Sequence, residues 1–171
     1  MKNRSRFSWL LPLVMVLCAS FHHETADAAM IEQTLDELCD SSTAIVEGKV
    51  VAKEASWDSE RTFIFTTATL TVNETFKGAF GPADTIHLLI PGGEIDGVGL
   101  KVEHAAEVEV GEEVIIFLKP VGDSLYGVTA WEQGRYTVAD GTVKEKGISV
   151  KEFTDSIKKV LERRSAEDPE E

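Results

Sequence analysis

The chain has 171 residues, of which 17 are Lys or Arg and 30 are Asp or Glu, giving a formal charge of −13 at pH 7. A field of that sign repels phosphate backbones and anionic lipid, and the basic residues are scattered until the C-terminal helix, which argues against nucleic-acid binding. The length suits one domain with a proper core and is short for two.

The chain opens with Lys2, Arg4 and Arg6, then an apolar run from about Trp9 to Ala19, then Ala26-Asp27-Ala28, small residues at the spacing signal peptidase reads. This pattern predicts an export signal over residues 1–28, cleaved after Ala28, and hence a periplasmic or extracellular protein. The apolar run is shorter than the ~20 residues of a spanning helix, and no membrane anchor is expected. Cys18 offers a rival reading as a lipidated first residue, although Leu17 stands where a small residue is expected. The leader takes three basic and two acidic residues with it, so residues 29–171 keep 14 and 28, a charge of −14, and a single cysteine, Cys39. One thiol has no internal disulfide partner.

In chain order, Ile31, Leu35 and Leu38 recur at helical spacing and predict a short amphipathic helix. From there to about residue 138 the period is two. Ala44, Val46, Gly48, Val50 and Ala52 share one face of a strand whose other face carries Glu47, Lys49 and Lys53. In FIFTTATLTVNETFKG, Ile64, Ala68, Leu70 and Val72 form an apolar face and Thr67, Thr69, Thr71, Asn73 and Thr75 a polar one. Threonine is β-branched and tolerates water, so this run marks the outer face of a strand. Phe63 and Phe65 fall on the polar side, as suits a long coiled strand that buries different faces at its two ends.

Further strands are expected over residues 85–90, 98–104, 113–120, 125–131 and 135–138, separated by turn signals rich in Gly, Pro and Asp. Ser149 and Glu152 make a capping-box pattern ahead of Val150, Phe153, Ile157, Val160 and Leu161, which predict a C-terminal amphipathic helix. The domain should run over residues 29–164, with a charged tail at 165–171. The fold expected is mainly β: a small closed or partly open antiparallel β-barrel of the OB type, with Val46, Val50, Ile64, Leu70, Val72, Ile86, Leu88, Ile116 and Leu118 inside.

Chemistry is harder to find. PGGEIDGVG lacks the lysine, hydroxyl and following helix of a phosphate-binding loop. His87 and His104 stand in no HxH spacing and no CxxC is present, so no transition-metal set is expected; no EF-hand loop offers calcium ligands. No GxSxG elbow marks a nucleophile, and Cys39 beside Leu35 and Leu38 reads as a structural cysteine. Asn73-Glu74-Thr75 matches a glycosylation sequon, which chance explains. The expectation is therefore a non-enzyme with no catalytic residue, no metal and no cofactor.

The order of features, a short segment ending in cysteine, then SSTAIVEGKVV, a strand closing in VNETFKG, then DTIHLLIPGG, VGEEVIIFLKP and YGVTAWEQGRYTV, resembles the netrin-like OB-fold superfamily of tissue inhibitors of metalloproteinases, particularly bacterial secreted relatives. Ala44-Val46-Gly48-Val50, Lys77-Gly78 and Gly111 through Leu118 carry the likeness, over about residues 39 to 138. The animal inhibitors place an N-terminal cysteine on the protease zinc. Here Cys39 lies well inside the chain with no disulfide partner, so that mechanism carries over to no residue. What the resemblance implies is an exported protein-binding module, inhibitor-like in outline, with an exported protein as partner. A carbohydrate or small-ligand binder and an unrecognised hydrolase are the alternatives. The candidate binding surface is the glycine loop with Pro91, Gly92, Gly93, Glu94 and Asp96, together with Trp57, because glycine loops permit close contact and tryptophans anchor interfaces.

Overall fold

The computed structural model describes residues 31–167, so the export signal, its cleavage after Ala28 and Cys18 lie outside the described residues. The first helix, α1 (Leu35–Ser41), starts where Thr34 caps it: the Thr34 hydroxyl accepts from Glu37 N at 3.3 Å, and the Glu37 carboxylate accepts from Thr34 N at 2.7 Å. That backbone bond from Thr34 also holds the Glu37 carboxyl below its ordinary range. Ile31, expected on the helix, precedes the cap and is 86% exposed. Leu38 and Cys39 are the residues the helix buries.

Two long strands, β1 (Ala44–Trp57) and β2 (Ile64–Lys77), form an antiparallel ribbon. The expected inner face of β1 holds for Ala44, Val46, Gly48 and Val50, which are buried. It fails at Ala52, which is exposed, because the register slips between Val50 and Ala52 and the extra residue, Val51, turns the strand over. A bulge of this kind reverses which residues face inward and sharpens the strand's coil. On β2 the alternation runs unbroken from Ile64 to Val72.

β2 pairs antiparallel with β3 (Thr85–Pro91), whose Ile86, Leu88 and Ile90 are buried. β4 (Gly93–Ile95) and β5 (Val98–Leu100) form a separate two-stranded hairpin. The strand expected over residues 98–104 stops at Leu100, and the chain then turns, with Ala105 N donating to Val102 O and His104 in the left-handed region. β6 (Glu113–Gly122) lies between β1 on one side and β7 (Leu125–Val128) and β8 (Arg135–Ala139) on the other. The short β9 (Thr142–Val143) and β10 (Ile148–Ser149) lead into α2 (Val150–Glu167), which runs three residues past the expected end of the domain at 164.

The eight-stranded sheet is thus mixed and closed on itself in part. Its order is β1-β2-β3-β7-β6-β8-β9-β10, and β1 also pairs with β6, so five of the strands return to their starting point. The antiparallel barrel expected from sequence is corrected in two respects: the sheet closes only in part and is not a barrel, and β3 and β7 run parallel, over only His87 with Leu125 and Leu88 with Tyr126. The reason is connectivity. β6 and β7 form a tight hairpin, and the edge β7 then offers to β3 points the same way as β3 itself.

All nine residues expected inside are between 0% and 1% exposed. All but Ile64 pack in one apolar cluster within the ring, with Ala68, Ile90, Val108 and Val114. A second cluster lies outside it, where Ile45, Ile115 and Phe117 meet Leu38, Cys39, Tyr136, Phe153 and Ile157. The uninterrupted run Val114 to Leu118 follows from this arrangement: alternate residues of β6 face the two clusters, so none meets water. Tyr136 stacks obliquely on Phe153 at 4.6 Å, fastening α2 to β8. Arg163 with Asp36, and Arg164 with Asp40 at 2.6 Å, tie the two helices together.

Candidate functional site

Pro91, Gly92 and Gly93 form a fixed corner. Gly92 N donates to Ile64 O at 2.8 Å, and Gly92 O accepts from the hydroxyl of Thr66, a buried residue, at 2.8 Å. Gly92 has φ +97 and Gly93 φ +143; a Cβ on Gly92 would stand 2.7 Å from Leu100 O, and one on Gly93 would stand 2.4 Å from Thr66 Oγ1. Only glycine fits such angles and approaches without strain. Beyond the corner, β4 and β5 project as a hairpin whose turn, Asp96-Gly97, has positive φ at both residues, as a two-residue hairpin turn requires.

The root of the hairpin is packed while its tip is open. A Cβ on Gly93 would also stand 3.3 Å from Ile64 Cγ2 and 3.4 Å from Ala55 Cβ, whereas Glu94, Asp96, Gly97 and Gly99 are exposed and Val98 is 50% exposed. Between the hairpin and residues 101–109 runs an open cleft of about 480 Å³. Thr66, Ile90 and Val108 supply its buried wall, and Lys53, Glu94, Lys101, Glu107 and Glu109 its charged rim. Lys53 pairs with Glu109 across it at 3.0 Å.

Four of the six residues proposed from sequence, Pro91, Gly92, Gly93 and Glu94, therefore line one cleft. Asp96 sits at the hairpin tip and Trp57 does not line the cleft. Trp57 is half-buried at the end of β1, paired with Ile64 and two residues beyond Ala55, at the same end of the ribbon as the hairpin root. The next turn is held by Asp58, whose carboxylate accepts from Thr62 N at 2.7 Å and Phe63 N at 3.0 Å. Those bonds, that from Phe63 first, keep the Asp58 carboxyl below its usual range.

Sequence reasoning missed a second hollow, of about 310 Å³, on the far side of Pro91. Phe65, Leu89, Val121, Val128 and Trp131 wall it, and Lys119 supplies its charged group. Trp131 is 48% exposed and Val121 48%. Ala130 and Trp131 both lie in the left-handed region, at φ 53 and 59, where they open a 3₁₀ turn (Trp131–Gly134). Two consecutive non-glycine residues in that region are uncommon. The turn is tied to the loop before β6 by Glu132 N donating to His104 O at 3.0 Å, and by His104 Nδ1 against Glu132 Oε1 at 2.7 Å. That carboxylate bond raises the His104 pKa above its ordinary value.

Among the described residues no group of three His, Cys, Asp or Glu side chains is placed to hold a metal ion. Cys39 is buried, and burial pushes its thiol up to about 11, so at neutral pH it stays protonated and inert. His87 sits half-buried on β3 near Thr69 at 3.5 Å, an ordinary strand residue. The densest polar group, Arg135 with Glu112 at 2.5 Å and Glu145 at 3.3 Å, joins β8 to the turns on either side of it. No helix among the described residues is long and apolar enough to cross a membrane. No model of a known protein family matches the chain, and none of the curated proteins is significantly similar to it.

Proposed function

We propose that the chain is an exported, non-catalytic binding module with an OB-type ring, similar to the inhibitors of metalloproteinases in outline, and that it engages an exported protein through the hairpin of residues 93–100. The OB reading is supported by the strand order, in which five strands meet in a partly open ring with a single short parallel pairing. One observation carries the binding reading: the hairpin tip is exposed while its root is locked by the glycine corner and the Thr66 hydroxyl. A projection already held in one shape loses little conformational freedom when a partner closes on it.

Glu94, Asp96, Glu103, Glu107 and Glu109 outnumber Lys53 and Lys101 at this end of the molecule, and the acidic excess favours a basic partner and salt-dependent association. The test uses the purified protein as bait in the exported fraction of its source, beside a Glu94→Lys, Asp96→Lys variant that leaves the glycine corner intact. The reading expects a specific exported protein that the wild type holds and the variant loses, with purified partner reproducing the difference and weakening as salt rises. Equal capture by both baits would reject the hairpin. The reading of this chain as a small-ligand binder is favoured by a different feature, the hollow beside Trp131.

A further inference from the structure

The ring's weakest join is the place where this hollow opens. β3 and β7 pair at His87 with Leu125 and at Leu88 with Tyr126, and the ladder ends there. Beyond it, Leu89, Ile90 and Pro91 on one side and Gly127 and Val128 on the other line the hollow instead of bonding to each other. Ala106 closes its floor and is 3% exposed. Phe65 and Leu89 form one wall, and Val121 and Trp131 the other. Both Val121 and Trp131 keep nearly half their surface in water, an arrangement that removing apolar area from solvent would stabilise. The left-handed pair Ala130-Trp131 sets where the indole stands. Such backbone persists only where its surroundings over-determine it, here through the His104 ties to Glu132.

The charge at the hollow decides what chemistry fits. Among the described residues, Lys119 is the only charged one in the lining. Many other lysines have a partner: Lys53, Lys144, Lys151 and Lys158 pair with carboxylates, and Lys77 donates to Cys39 O. The Lys119 backbone belongs to the β6–β7 ladder, but its ammonium takes part in none of the ion pairs or side-chain hydrogen bonds among the described residues. An apolar hollow with one unpaired ammonium is complementary to an apolar molecule ending in a single negative charge. A phosphate would ask for several converging donors, which the lining lacks. The volume stands at the lower end of small-molecule sites, which run from about 300 to 1,000 Å³.

We propose that the hollow between β3 and β7 binds a free alkyl or aryl carboxylate of modest length, its hydrocarbon between Phe65 and Trp131 and its carboxylate on Lys119. The site is separate from the hairpin and independent of whether the hairpin binds a protein. Octanoate, octan-1-ol and octylamine are titrated into the purified protein, with calorimetry for affinity and the Trp131 indole N–H resonance for location. The same titrations follow Lys119→Gln, which removes the charge at an exposed position, and Val121→Asp, which places a carboxylate on the wall. Octanoate should bind saturably and shift the Trp131 signal, with octylamine weakest. Lys119→Gln should weaken octanoate about fivefold, as expected for a partly solvated ion pair, and leave octan-1-ol unchanged. Val121→Asp should weaken both. The proposal is overturned if octanoate binds no more tightly than octan-1-ol, if Lys119→Gln leaves octanoate affinity intact, if Trp131 does not respond, or if none of the three saturates.

Discussion

Replacing Gly93 by alanine tests whether the corner under the hairpin is a packed joint. Two costs meet at this position. The backbone stands at φ +143, which only glycine adopts readily, and holding another residue there costs about 1–3 kcal/mol. The added Cβ would stand 2.4 Å from Thr66 Oγ1, 3.3 Å from Ile64 Cγ2 and 3.4 Å from Ala55 Cβ. Thr66 is buried, so rotating its hydroxyl away gives up the bond to Gly92 O, worth about 1 kcal/mol, while pushing the neighbours apart costs about 1–3 kcal/mol. The sum is about 3–7 kcal/mol. Two other glycines of the same hairpin separate the terms. Gly97 has φ +76 with nothing within 4 Å of a Cβ, so Gly97→Ala should cost only the backbone part, about 1–2 kcal/mol. Gly99 has neither constraint, and Gly99→Ala should stay within about 0.5 kcal/mol. Urea unfolding of the three variants measures this: with a slope near ~2 kcal/mol/M, Gly93→Ala should move the midpoint down by roughly 1.5–3.5 M. A Gly93→Ala loss no greater than that of Gly97→Ala would show that the close approach is not there and refute the reasoning.

Leu70→Ala should cost about 2–5 kcal/mol as a truncation inside the ring, whereas Val51→Ala, at the bulge and 47% exposed, should stay within about 0.5 kcal/mol; the reverse order in chemical unfolding would mean the bulge is misplaced. Cys39 should ignore a thiol reagent at pH 8 until the protein unfolds. Its thiol titrates at about 11 folded against about 9 unfolded, so the unfolded chain holds fewer protons in that interval and stability should fall as pH rises from 9 to 11; a Cys39→Ala variant lacking this fall is the control, and rapid labelling of the native protein contradicts the burial. The His104 pKa lies above its ordinary 6.5, raised first by the Glu132 hydrogen bond, so the tie between the loop and the 3₁₀ turn is fully present below that value and fades as pH rises through the folded pKa. An NMR titration should show the raised pKa falling back in Glu132→Gln, and no change on that substitution would remove the tie.

Much of this molecule is legible in single stretches of chain. Alternation along β2 and β3 assigns their inner faces residue by residue, because a strand's side chains change sides at every step and one side must leave water. The capping residues Ser149 and Glu152 mark the start of α2 for an equally local reason: Glu152 N donates to Ser149 Oγ at 3.2 Å. The site is legible only in part. The glycines at 92 and 93 announce an unusual backbone, but that they are pressed against Leu100 O and Thr66 Oγ1 depends on strands brought together across the sheet. The bulge at Val51 and the parallel contact of β3 with β7 have no local signature, and the apolar faces of the two helices do not say that Ile45, Ile115 and Phe117 are what they cover, since each is a choice of partner made between distant segments. Trp131 and Lys119 come from different strands and turns, and neither carries a motif. Periodicity decides which side of an element turns from water; only the tertiary packing decides which elements meet there, and where β3 and β7 part it leaves an apolar hollow beside the Lys119 ammonium, unpaired among the described residues.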